Sequence, residues 1–211
     1  MTQARASLRV CMVHYSDFGV DSRIQRQARA LAERGDEVHL VCLSPSSSVP
    51  VGTGEIHVHG VMGEKAGGGA ASYLKGYGTF FVRALRRVSA LDAAAPFDLV
   101  EAHNMPDFLT LAALRPKRRG APVILNVHDT FPELFATKFG DGAPRAAVSL
   151  LRLEERWSAA LADAVVVVTS EAGDILNARG VGVDRTTVIM NTPDERLFGP
   201  QREAQTLPAD G

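Results

Sequence analysis

His128 closes an apolar run at Leu125-Asn126-Val127-His128-Asp129-Thr130-Phe131-Pro132-Glu133, where hydrophobic residues stop on polar ones. An imidazole at the carboxyl end of a parallel strand faces the crevice in which open α/β sheets bind ligands. Near neutral pH it can donate or accept a hydrogen bond, or carry a proton. Thr130-Phe131-Pro132-Glu133 has the form of a capping box that would fix the turn, with Asp129 and Thr130 beside the imidazole. A lone His also reads as a satisfied core residue, and here its position favours the ligand-facing role.

Two more junctions have the same form. At His14-Tyr15-Ser16-Asp17-Phe18-Gly19-Val20-Asp21-Ser22, backbone amides and a helix start can hold a phosphate. Only Gly19 is a glycine there, so neither the dinucleotide fingerprint nor a P-loop is present, and a well-capped connecting loop remains the alternative. At His103-Asn104-Met105-Pro106-Asp107, Asn104 reads either as a polar rim residue or as a helix cap. Right-handed crossovers set every parallel strand end along one rim, so Gly19, Asn104 and His128 are expected to converge. His57 and His59 alternate on one strand face, but no third ligand lies near them in sequence. They are assigned to a solvent-facing edge strand, and no metal site is expected.

The elements that must position these groups follow from periodicity. Apolar β-branched runs predict strands at Leu8–His14, Glu37–Leu43, Glu55–Val61, Leu99–His103, Pro122–His128, Ala164–Thr169 and Thr186–Met190. Helical spacing between them predicts a first helix from Ser22, capped by that residue with Gln25 reaching back and stopped at Gly35. Further helices are predicted from about Tyr73 to Leu91, after Asn104 with Pro106 in the first turn, and from about Pro144 to Ala162. The alternation predicts an α/β fold: a Rossmann-like, doubly wound, mainly parallel sheet of about seven strands with helices on both faces. The glycine-rich stretch from Gly63 to Gly78 is expected to be a mobile loop, either a substrate cover or a plain linker.

Composition excludes several classes. The 211 residues are 45% hydrophobic and carry a formal net charge of -1, without the basic surplus of a nucleic-acid binder. The N-terminus lacks a secretory leader and no apolar run spans a bilayer, which leads to a cytoplasmic expectation. Cys11 and Cys42, each within an apolar strand, are expected to be buried and reduced. Arg115, Lys117, Arg118 and Arg119 are explained by a helix C-terminus. With Arg83, Arg86 and Arg87 they offer an alternative reading as a peripheral footing on the inner face of an anionic membrane. Residues 1–199 are read as one domain and 200–211 as a tail or truncated interdomain linker.

Taken in order, Asp21-Ser22-Arg23-Ile24 through Glu37-Val38, Val127-His128-Asp129, Leu153-Glu154-Glu155-Arg156-Trp157 with Ala162-Asp163-Ala164-Val165, and Val188-Ile189-Met190-Asn191 resemble a known family. It is the N-terminal, acceptor-binding lobe of the family 4 retaining glycosyltransferases of GT-B fold. The resemblance covers roughly residues 8–199. It implies sugar transfer from a nucleoside-diphosphate sugar, held by a C-terminal lobe, to the hydroxyl of an acceptor glycan or other small molecule. His128 matches the family's His beside the donor sugar's reacting carbon, and Asp17, Phe18 and Gly19 match the loop approaching the diphosphate, without its paired glycines. Asn191 matches the start of the interlobe connection, where Thr192-Pro193 replaces the usual Gly-Val. Asn104, Asp129 and Thr130 complete the expected substrate-binding set, with no cofactor implied. The donor lobe's Glu-x7-Glu motif is not expected here; Glu195 and Glu203 share its spacing across Gly199-Pro200 by chance. A lone lobe is expected to be inactive. Two alternatives are a non-catalytic glycan- or lipid-binding module and the lobe of a sugar-nucleotide epimerase, whose acid/base groups would come from Asp17, Asp107, Asp129 and Glu133.

Overall fold

The computed structural model describes residues 6–43, 47–51, 54–63, 70–140 and 144–192. Eight strands form one sheet in the order β3-β4-β2-β1-β5-β6-β7-β8. They are β1 (Arg9–Val13), β2 (Glu37–Cys42), β3 (Ser47–Val51), β4 (Gly54–Gly60), β5 (Leu99–His103), β6 (Val123–Val127), β7 (Ala164–Val167) and β8 (Thr186–Val188). All pairings are parallel except β3 with β4. The fold class is therefore as predicted, with β3 added outside β4. β3 has a weak strand signal, Ser-Ser-Val-Pro-Val, and its Pro50 is tolerated because an edge strand need not donate on its free side. β4 is consequently an interior strand, which corrects the expectation that His57 and His59 lie on an edge.

The α1 helix (Ser22–Glu33) packs Ile24, Ala28 and Ala32 on Val10, Met12, Val38, Leu40, Ile56 and Val58. Alternate residues Cys11, Val13, Val41, Val100 and Ala102 point to the other face. There α2 (Ala70–Ala94) and a 3-10 segment, Asp107–Ala113, bury Phe80, Ala84, Val88, Leu109 and Ala112. Farther along the same face, α5 (Arg145–Leu161) and α6 (Ser170–Ala178) bury Ala159 and Leu176 on Leu125, Val127, Val165 and Val167. α3 (Leu114–Arg118) and α4 (Phe131–Phe139) complete the crossovers after β5 and β6. Cys11 and Cys42 are buried free thiols, as expected.

Several boundaries differ for local reasons. α1 is capped by Asp21, whose carboxylate accepts from the Arg23 backbone N–H at 3.1 Å, while Gln25 Nε2 donates to the Phe18 carbonyl at 2.7 Å, so Ser22 is not the cap. The aspartate one residue earlier is the stronger acceptor at a positive helix end. α2 begins at Ala70, which places Gly76 and Gly78 inside a helix. The buried Phe80, Ala84 and Val88 stripe outweighs the low helix propensity of glycine. The middle of the glycine-rich stretch, 64–69, and the expected tail, 200–211, lie outside the described residues. After Asn104 the chain winds first as a 3-10 segment, and α6 was not foreseen; a β-carbon added at Gly173 within it would stand in ordinary contact, 3.5 Å, with a Val167 methyl.

Gly54 begins β4 directly against the end of α1: a β-carbon there would stand 2.3 Å from the Ala32 carbonyl oxygen, a backbone atom that cannot swing aside. Gly54→Ala is expected to destabilise the fold by about 2 kcal/mol, lowering the thermal midpoint by several degrees in a melt followed by circular dichroism.

Candidate functional site

Because β1, β5 and β6 are consecutive in the sheet, their carboxyl ends lie side by side. The residues just past or at those ends, His14, His103 and His128, form a cluster of rings. His103 and His128 stack at 5.4 Å with 8° between planes, and His14 lies 5.5 Å and 6.2 Å from them. His103 Nδ1 and His128 Nε2 are hydrogen-bonded at 3.1 Å, one nitrogen donating to the other. His128 is 7% exposed and His103 is fully buried. His128 Nδ1 and His103 Nε2 have no hydrogen-bond partner among the described residues. Desolvation, reinforced for His128 by the nearby Arg23 charge, lowers the His128 pKa to about 4 and holds His103 well below the usual imidazole range. Both are therefore neutral at pH 7.

Asn104 sets the geometry of this cluster. Its side-chain oxygen accepts from the His128 backbone N–H at 2.8 Å, and its Nδ2 donates to the Asp129 carbonyl at 2.6 Å. It caps no helix; the 3-10 segment after it has no side-chain cap. Both halves of one amide are used to hold the turn after β6, so Asn104 is a positioning residue. The Thr130-to-Glu133 capping box does not form: Thr130 makes no cap bond, and the Glu133 carboxylate is taken by Arg179 and approached by Arg152 at 3.7 Å. Paired guanidinium groups compete better for a carboxylate than a backbone amide does.

On the α1 side of the sheet a cleft of about 230 Å³ has His128 and Asn126 on its floor. Arg23, Arg26 and Gln27 of α1 form one wall, and Ile189, Met190 and Asn191 after β8 form the other. Of the predicted site residues, the structure brings His128 and Asn191 to this cleft, and Asn104 to its support. Asp17 is spent on its own turn, accepting from the Gly19 N–H at 2.6 Å, and Phe18 packs toward the α1 core. Gly19 and Asp129 are exposed and Thr130 is half-buried, none of them lining the cleft. Arg23 and Arg26 escaped sequence reasoning, as did Asn126, which donates to the buried Glu101 at 2.9 Å. The available signal was Arg23 itself, a cation in the first turn of a helix, where the macrodipole disfavours it.

Behind the rim, Asp107 and α5 form a second titrating group. Burial, offset in part by Asn104, raises Asp107 to about 7; burial and the proximity of Asp107 raise Glu154 to about 8.

The sequence matches the family model described as a glycosyl transferase 4-like domain over residues 18–192. Among curated proteins, none matches it. Three solved structures show the fold it shares. Sucrose-phosphate synthase from Thermosynechococcus elongatus is 13% identical with a TM-score of 0.61, over 90% of this chain and 49% of that one. A UDP-N-acetylglucosamine 2-epimerase is 14% identical at 0.53, over 96% and 53%. Anabaena HepE, solved with UDP and glucose, is 14% identical at 0.53, over 90% and 46%. The architecture is that of one Rossmann-like lobe of a GT-B fold, and the chain spans about half the length of these structures. The chain belongs to the glycosyl transferase 4-like domain family.

The buried groups give stability a definite pH dependence. His128, depressed from 6.5 to about 4, contributes stability that is full above pH 6.5 and lost as pH falls toward 4, because only the unfolded chain takes up the proton. Asp107, raised from 3.8 to about 7, contributes in the opposite sense: stability present below pH 4 is lost as pH rises toward 7, where only the unfolded chain ionises freely. Asp107→Asn is expected to melt like the parent at pH 4 and several degrees above it at pH 8, measured as thermal midpoints across that range.

Proposed function

We propose that this chain is the acceptor-side lobe of a retaining glycosyltransferase, moving a sugar from a nucleoside-diphosphate donor to an acceptor hydroxyl, with His128 contacting the donor sugar. The observation that carries this reading is a neutral imidazole at the carboxyl edge of the sheet, with one buried nitrogen that has no hydrogen-bond partner among the described residues, at the floor of a cleft walled by two arginines. An unpaired buried donor or acceptor is costly, and a sugar hydroxyl is a group able to satisfy it. A neutral His128 supplies a hydrogen bond rather than charge. In retaining transfer the acceptor oxygen attacks the anomeric carbon while the diphosphate leaves from the same face, so positive charge develops on the sugar and negative charge on the departing oxygen. Dipoles at the floor suit the first, and Arg23 and Arg26 suit the second.

The donor nucleotide is assigned to a second lobe, following the family. Residues 1–199 are read as this lobe and 200–211 as a tail or interdomain linker, with Asn191, at the cleft wall, matching the residue that opens the interlobe connection in the family. The epimerase alternative needs acid/base carboxylates in the cleft, whereas Asp17 and Glu133 are engaged elsewhere and Asp107 is buried behind the rim. A cytoplasmic location, with a peripheral footing at the inner face of the membrane, is part of the same reading; among the described residues no helix is long and apolar enough to cross a membrane.

In an enzyme carrying both lobes, His128→Ala is expected to reduce kcat by roughly 100-fold with the fold retained, comparable to removing one preorganised donor from a polar site. The measurement is sugar transfer under saturating donor, and unchanged turnover overturns the donor-contact role. The lobe alone is expected to transfer sugar only at background, and appreciable turnover without a second lobe would overturn that part of the reading.

A further inference from the structure

Far from this cleft, β2 and β4 each carry a glutamate and a histidine two residues apart. β2 has Glu37-Val38-His39, and β4 has Glu55-Ile56-His57. The two strands are parallel and in register, Glu37 opposite Glu55 and His39 opposite His57. Period-2 alternation therefore places all four side chains on one face, the face covered by α2. His57 does have neighbouring ligands: Glu37 and His39 on the adjacent strand, and Glu55 two residues before it on its own. We propose that Glu37, His39 and His57 form a binding site for a divalent transition metal, zinc above all, with Glu55 as a fourth ligand.

The geometry supports this at each atom. The ligand atoms of Glu37, His39 and His57 lie within 4.8 Å of one another. His39 Nε2 is 2.7 Å from Glu37 Oε1, and His57 Nε2 is 3.9 Å from the same oxygen and 3.7 Å from Glu55 Oε2. Tetrahedral zinc with bonds near 2.0–2.1 Å sets its ligand atoms about 3.3 Å apart, so small side-chain rotations close the site. Both imidazoles point Nε2 inward while their other nitrogens are held from behind. His39 Nδ1 bonds His59 Nε2 at 2.9 Å, and His57 Nδ1 bonds Ser48 Oγ at 3.3 Å. Such outer bonds orient metal-binding histidines. Glu37 divides its oxygens: Oε2 faces Arg9 at 3.3 Å, leaving Oε1 for the cluster. A metal ion bound here would take the place of the hydrogen bond between Glu37 Oε1 and His39 Nε2. Bound there, it ties β2 to β4 and secures the sheet edge that β3 completes.

The test is calorimetric titration of the chain with zinc chloride in chelator-free buffer, with thermal melts alongside. One zinc per chain is expected, with a rise of several degrees in the thermal midpoint. His57→Gln and Glu37→Gln, both at partly exposed positions, are expected to weaken binding by about tenfold or more. His128→Gln, which alters the other histidine cluster, is expected to bind zinc as the parent does. Absence of stoichiometric binding overturns the proposal. So does binding that survives both strand variants, and so does binding lost in His128→Gln, which would move the metal to the cleft. Should either strand variant fail to fold, the zinc-dependent midpoint of the parent still decides: no shift overturns the site.

Discussion

The single amide of Asn104 fixes the relation between two strand ends. Its oxygen and nitrogen bond the backbone at His128 and Asp129, so the chain leaving β6 cannot move without breaking two hydrogen bonds, one buried and one part-buried. Those bonds are short and partly shielded from water, where an unmade partner costs its full desolvation. Everything at the cleft inherits this restraint: the His128 ring stacks on His103 because its backbone is held at that depth, and the cleft floor is defined by that ring.

A second constraint follows from burial. Glu101, His103, Asn126 and His128 lie on the inner, α1-facing side of β5 and β6 and at their ends, and all are buried. Charge at such depth is expensive, and the two groups titrate accordingly: burial raises Glu101 and lowers the histidines. The histidines of the floor are thus polar and neutral, and burial disfavours the charged form of Glu101 beside them. Formal charge is kept at the rim, in Arg23, Arg26 and Asp21, where α1 begins. Against desolvation, Asp21 is held below the usual carboxylate range by Arg23 and His14. A site divided this way offers hydrogen bonds below and electrostatic compensation above.

How much of this was legible in the sequence depended on whether the information was local. Strand placement was local, since β-branched apolar runs announce β1, β2, β5 and β6. Parallel connectivity led to the expectation that Gly19, Asn104 and His128 share one rim; the structure joins Asn104 to His128, places His14 beside them, and leaves Gly19 exposed outside the cleft. The caps were misread because competition decided them: Asp21 stands next to Ser22, and Arg179, forty-six residues from Glu133, claims the carboxylate meant for a capping box. The walls of the cleft were missed because Arg23, Arg26 and Ile189 come from elements whose side-by-side placement only the fold supplies. β3 escaped because Ser47–Val51 gains its structure from pairing with β4 rather than from its own composition.

The two histidine groups show the same logic from opposite sides of one sheet. His39 shares its face with Val41 and meets the ring of Phe97 at 5.4 Å, both part of the α2-side core, whereas His128 opens toward α1. Glu37 begins β2, while His128 follows the end of β6, so the clusters are separated along the strands as well as across the sheet. Nothing bound at β2 and β4 can reach a reacting group at the cleft. Its influence there is limited to stiffening the strand pair against which α1 packs. α1 carries Arg23 and Arg26 at the cleft and rests Ile24, Ala28 and Ala32 on that strand pair and β1, so a firmer edge reaches the site as a firmer wall.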